Sequence, residues 1–185
     1  MDRCADYALA YAKAAAGADM LSGGDSPAGL IGPRLYRGVA LPTEQRVIAG
    51  LNAHVSLPVS LHICGRATTI LSDMACSGAD VPEFYHQVDM AVACRIVPAT
   101  TALWGNLDPV GVLARGSREQ VCAATDRVLR TVAAHARRRF VLSSGCTLSV
   151  DTPSANLAAM LQRARHWPPL GPESPLSGGA IAGGG

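Results

Sequence analysis

An α/β fold built on parallel strands is what this sequence predicts, and three features predict it. Five short apolar segments alternate with helical segments along the chain. Each strand-like segment closes on a glycine or a polar turn that leads toward a helix start. Apolar residues make up 49% of the 185 residues and charged residues 16%, enough to bury a core and too apolar for a disordered polymer.

The elements follow in order. Residues 2–16 carry Ala, Leu and Tyr at helical spacing, and Gly17 stops them. Residues 18–22 read as a short buried strand, closed by Gly23-Gly24-Asp25-Ser26-Pro27. Residues 33–39 suit a short helix. Thr43 starts another, with Glu44 in its first turn, running to about His54. Residues 58–64, Pro-Val-Ser-Leu-His-Ile-Cys, alternate between proline and glycine boundaries and read as a strand. Residues 67–77 look helical up to Gly78, and 79–85 form a third strand, although Pro82 removes a ladder donor from it. Asp89 caps an Ala- and Val-rich helix. Residues 101–105 are a fourth strand, ending in Asn106-Leu107-Asp108-Pro109, where Asp108 is a natural cap and Pro109 a natural first helical residue. Ser117 and Gln120 make a capping box for a long helix to about His135. Residues 139–144 are a fifth strand, followed by Gly145-Cys146. Asp151 or Thr152 caps a last helix that begins at Pro153 and runs to about Arg165.

Five parallel strands fit two architectures. A complete eight-stranded barrel takes about 250 residues, so this chain has room for roughly the last five strands of one. A small doubly wound open sheet is the other. No Gly-x-Gly-x-x-Gly follows the first strand, and Gly23-Gly24-Asp25-Ser26 lacks the lysine of a phosphate loop.

Composition excludes several partner classes. The formal net charge is +2, which gives no reason to expect nucleic acid or an anionic membrane. Arg137-Arg138-Arg139 is the densest basic cluster and reads as the solvated end of a helix. No run of about 18 uncharged apolar residues is present, so no membrane span is expected, and the first residues have no apolar signal region. The six cysteines form no small disulfide framework. Reduced thiols and a cytoplasmic location are expected. Cys4, Cys76, Cys94 and Cys122 are read as packing residues. The domain is expected to span 1–165, and the Pro/Gly-rich tail 166–185 to be disordered.

The chemistry concentrates in His62-x-Cys64 and Cys146. Residues two apart on a strand point to the same face, so His62 and Cys64 project together at a strand's C-terminal end. Parallel α/β enzymes place their sites at that end. Cys146 lies just beyond the fifth strand, at the same rim. One imidazole and two thiolates suit zinc and leave its fourth position open, a catalytic pattern. Asp25 and Ser26 after the first strand, and Asn106 after the fourth, are candidate substrate contacts. For Asp25 and Ser26, capping a turn is the competing reading. Asp108 is read as a cap, and His54, His86 and His135 as surface residues.

Four motifs carry a resemblance: Leu-His-Ile-Cys-Gly (61–65), Trp-Gly-Asn-Leu-Asp-Pro (104–109), Ser-Ser-Gly-Cys (143–146) and Asp-Thr-Pro-Ser-Ala-Asn-Leu (151–157). In this order and spacing the chain resembles the uroporphyrinogen decarboxylase superfamily over about 7–165. Within it, the chain is most similar to the zinc-dependent corrinoid:thiol methyltransferases, such as methylcobamide:coenzyme M methyltransferase. The resemblance implies an α/β fold that is the C-terminal part, about five strands, of a TIM (β/α)8 barrel. It places one Zn2+ on His62, Cys64 and Cys146, with the same three residues at the catalytic centre. It implies transfer of a methyl group from a methyl-corrinoid, carried by a separate corrinoid protein, to a small thiol such as coenzyme M. Ser26 matches a substrate-binding serine of the decarboxylases, but Cys146 stands where they carry a histidine. Nor do the decarboxylases resemble His62-Ile63-Cys64. Decarboxylation of uroporphyrinogen is therefore the second reading. The family often has an aspartate after the third strand, where Glu83-Phe84-Tyr85-His86 stands here. A half barrel leaves two sheet edges open, so a homodimer or a complementary chain is expected to complete it, and an inactive incomplete barrel is the third reading.

Overall fold

The structure, a computed structural model, describes residues 2–15 and 17–168. Helix α1 (Asp2–Ala14) leads to strand β1 (Leu21–Gly24). A 3-10 turn (Ser26–Leu30) and a short α2 (Gly32–Leu35) pass through one π-turn (Tyr36–Ala40) into α3 (Leu41–Asn52). Then come β2 (Val59–Ile63), a 3-10 turn (Ala67–Ile70) with α4 (Leu71–Met74), β3 (Val81–Phe84) and α5 (Met90–Ile96). Strand β4 (Leu103–Leu107), a π-turn (Pro109–Ala114), α6 (Arg118–Ala134), β5 (Phe140–Ser144) and α7 (Ser154–Arg165) complete the described chain.

All five strands are parallel and their spatial order is their sequence order, β1-β2-β3-β4-β5. A doubly wound sheet needs a point where that order reverses. The described sheet has none, so it is one wall of a barrel wound in a single direction. Register then sets heights. Gly24 pairs with His62, His62 with Glu83, Glu83 with Trp104, and Trp104 with Val141. These residues form one row across the sheet, with side chains on one face.

The opposite face packs on the helices. Ile63, Phe84 and Leu103 from the strands meet Tyr36, Ile70, Leu71 and Met74, all at most 2% exposed. Burial of such a side chain stabilises by roughly 1.5–3 kcal/mol. A separate cluster under α6 and α7 holds Leu107, Leu113, Val121 and Met160. Beside it, Asp126 of α6 accepts two hydrogen bonds from the Arg163 guanidinium of α7, at 2.5 and 2.7 Å.

Several local expectations shift. Gly23 and Gly24 belong to β1 rather than closing it, because Leu21 pairs with Val59 and the ladder runs on to His62. Thr43 is no cap; the chain is already helical there, and its hydroxyl donates to the Val39 carbonyl. The 67–77 helix is shorter, ending at Met74, so Cys76 falls beyond it and is exposed, as is Cys4. Cys94 is buried and Cys122 half-buried, in keeping with packing. Strand β4 lies two residues later than expected, which brings Asn106 inside it. Neither Asp151 nor Thr152 caps α7, whose N-cap position is Pro153. Pro82 stays within β3, and the β3–β4 ladder reduces to the single pair Glu83 and Trp104. The Asp89 and Asp108 caps and the Ser117–Gln120 capping box form as expected.

The Arg137–Arg139 reading needs correction. Arg138 and Arg139 are exposed, but Arg137 is only 4% exposed. The chain turns inward after α6, and its guanidinium donates to the Val97 and Thr101 carbonyls. The expected tail lies, from residue 169 onward, outside the described residues.

Candidate metal centre

The rim at the C-terminal ends of the strands gathers the site. His62 is the fourth residue of β2 and Cys64 follows that strand directly, so the two-residue period aims both at one point. His62 Nε2 lies 3.0 Å from Cys64 Sγ. Cys146 reaches the same point from the loop after β5, its sulfur 3.7 Å from that of Cys64. The three ligand atoms all lie within 4.8 Å of one another, and all three residues are half-buried. Among the described residues no other trio of His, Cys, Asp or Glu is gathered in this way. Tetrahedral zinc with bonds of 2.0–2.3 Å separates its ligand atoms by about 3.3–3.8 Å. The sulfur pair already has that spacing, and the imidazole stands slightly inside it. The residues therefore fit a zinc ion with three protein ligands.

Two glycines let the loops close on this point. A Cβ on Gly29 would sit 2.0 Å from the Cys64 carbonyl oxygen, so the turn after β1 approaches the end of β2 only with glycine there. A Cβ on Gly145 would sit 2.5 Å from the His86 backbone nitrogen. That contact seats the loop that presents Cys146.

Glu83 stands beside the trio, unforeseen from the sequence except as a departure in its segment. It neighbours His62 in the row across the sheet, and its Oε1 lies 3.3 Å from His62 Nδ1. The contact is in ion-pair range without hydrogen-bond alignment, and Nδ1 has no other partner. Glu83 raises the imidazole pKa, opposed by burial, with a further contribution from Cys146. A carboxylate behind Nδ1 favours the tautomer that leaves Nε2 free as a ligand.

The remaining candidates divide. The Ser26 hydroxyl donates to Cys64 Sγ at 3.4 Å, so it belongs to the site. The Asp25 backbone N–H donates to the His62 carbonyl, but its side chain makes no cap. Asn106 is buried, and its amide donates to the Tyr85 and Val88 carbonyls, bracing the loop after β3. His86 is half-buried, stacks at a tilt on Tyr85 and places Nε2 3.8 Å from Asp108 Oδ2. His54 is exposed as expected, and His135 half-buried, each ring bonded to a carbonyl of its own helix. Among the described residues no helix is long and apolar enough to cross a membrane.

Comparison with known proteins places the fold. Residues 1–167 match the uroporphyrinogen decarboxylase (URO-D) family. The methylcobamide:CoM methyltransferase MtbA of Methanosarcina mazei is 35% identical over 171 residues, covering 90% of this chain and 48% of that protein. A uroporphyrinogen decarboxylase of Nostoc punctiforme is 34% identical, covering 90% of this chain and 46% of its own length. The chain thus spans about half the length of the relatives it matches. A solved methyltransferase from Methanosarcina mazei superimposes with a TM-score of 0.77 at 24% identity, over 89% of this chain and 47% of that one, so the fold is that of a barrel wall. The chain belongs to the uroporphyrinogen decarboxylase family.

Proposed function

We propose that this chain carries the zinc site of a corrinoid:thiol methyltransferase. The observation behind the proposal is the convergence of one imidazole and two thiols within 4.8 Å at the strand ends. When bound, zinc supplies a Lewis acid that stabilises a substrate thiolate at neutral pH.

The chain's own residues account for the rest. His62 offers Nε2 because Glu83 occupies the Nδ1 side. Cys64 and Cys146 give the site its thiolate character, which selects zinc over magnesium or calcium. Ser26, donating to the Cys64 sulfur, holds that side chain in place. The rim holds the substrate sulfur while a methyl-corrinoid on a separate protein presents its methyl group from outside the strand ends. Coenzyme M is the thiol suggested by the names of similar proteins. Strands β1 and β5 each pair on one side only among the described residues. Further barrel strands, whatever segment supplies them, would complete the pocket wall.

Decarboxylation, the activity named for other relatives, has no use for the imidazole–dithiol cluster. Its matching serine is occupied with a cysteine sulfur. Calorimetric titration of coenzyme M into the zinc-loaded chain, in buffers of different ionisation heat, tests the reading. About one proton released per bound thiol is expected. Binding without proton release, or no binding, would count against it.

A further inference from the structure

The two sulfurs of the site stand close enough for a chemistry that methyl transfer does not use. Cys64 Sγ and Cys146 Sγ are 3.7 Å apart, in van der Waals contact, although 82 positions separate them in the chain. The Ser26 hydroxyl at 3.4 Å and His62 Nε2 at 3.0 Å hold the Cys64 sulfur facing its partner. Both cysteines are half-buried at the rim, so a small solute reaches them. The other four have no such neighbour: among the described residues no second contact joins two cysteine sulfurs.

Bonded sulfurs lie about 2.05 Å apart, so this pair has to close by about 1.7 Å. Cys64 directly follows β2, whereas Cys146 stands in the stretch between β5 and α7, which belongs to no helix or strand and can give that distance. We propose that Cys64 and Cys146 are a modification site: in the metal-free chain a hydroperoxide oxidises them to a reversible disulfide. With hydrogen peroxide, one sulfur attacks an oxygen and the O–O bond breaks. Water leaves with the first thiol's proton, and that sulfur becomes a sulfenic acid. The second sulfur then displaces the hydroxyl, which leaves as water with the second thiol's proton, and the S–S bond forms. Two electrons pass from the sulfur pair to the peroxide. A small thiol reverses the bond by exchange.

The consequence for the metal rests on the proposed zinc reading; the disulfide itself does not. Zinc and the S–S bond draw on the same two sulfurs, so each state excludes the other. An oxidised site takes up no zinc until a thiol reduces it, which makes the pair a redox control on the metal centre. Disulfides of reducing compartments are transient and redox-sensing rather than structural, and a reversible pair at an accessible rim has that character.

Treatment of the reduced, metal-free, full chain with one equivalent of hydrogen peroxide, at high dilution, tests this. The expected product runs as a monomer without reductant, is lighter by two hydrogens, and yields a Cys64–Cys146 cross-linked peptide on digestion. Thiol loss at this pair should run about tenfold faster than at the exposed Cys4 and Cys76. Urea should abolish that preference, because an unfolded loop then separates the two sulfurs. Random pairing among the cysteines, links between chains, over-oxidation of Cys64 or Cys146 without a cross-link, or an unchanged preference in urea would overturn the proposal. Zinc uptake by a second, reduced sample reports on the zinc reading separately. A chain that takes up no zinc but forms the cross-link would remove the metal and keep the modification site. A chain that takes up zinc but forms no cross-link once stripped would keep the metal and overturn the modification site.

Discussion

Glu83 shows how much of a site depends on one carboxylate. Its oxygen lies 3.3 Å from His62 Nδ1, on the side of the ring opposite Nε2, the proposed zinc ligand. Glu83→Gln keeps the shape and loses the charge, so zinc affinity should fall by about tenfold or more, read by competition with a chromophoric chelator. Gly29→Ala tests geometry rather than charge. A methyl group 2.0 Å from the Cys64 carbonyl must push the turn or the strand end aside. Zinc affinity should drop by about tenfold while the helical circular dichroism stays unchanged; unaltered affinity would show that the close approach does not position Cys64. At this scale the sequence is legible where the rule is local. The two-residue period of a strand joins His62 to Cys64. Glu83 and His62 meet through register between separate strands, and Tyr36 and Glu44 through a hydrogen bond within the helix layer. No spacing in the sequence encodes either meeting.

Helices and strands are legible in the sequence where short-range devices set their ends. Ser117 with Gln120 and the Asp89 and Asp108 caps are short-range devices and form as expected. Ser117→Ala should cost about 1 kcal/mol in urea unfolding, because the Gln120 N–H loses its acceptor. The start of β4 moved because pairing with β5, Leu103 to Phe140 onward, sets it rather than local composition. Arg137 followed the same logic, since its carbonyl partners lie on a distant loop. Arg137→Ala should destabilise by about 2–4 kcal/mol, the cost of leaving one buried and one part-buried carbonyl without donors and removing packed methylenes. The α6–α7 clasp predicts a pH effect. Arg163 holds the Asp126 carboxyl below its ordinary value, with burial opposing. Its stabilisation is present above the ordinary value and is lost as pH falls through the lowered one. Asp126→Asn should therefore lower the urea midpoint at pH 7 and show a smaller difference from wild type at pH 3.

The described residues form a barrel wall with the candidate metal centre at one rim. The order of strands excludes the doubly wound alternative that strand count alone left open. Two edges unpaired among the described residues and an exposed Val141 on the row that includes His62 predict that the 185-residue chain by itself associates as its concentration rises. Light scattering across a concentration series should show mass above the monomer; a constant monomer mass would contradict this. His62, Cys64 and Cys146 are the proposed metal site. Elemental analysis of the purified chain, beside Cys64→Ser and Cys146→Ser, decides it. About one zinc per wild-type chain, lost in both variants with the fold retained, is the predicted result. A well-folded wild-type chain without zinc would contradict the account.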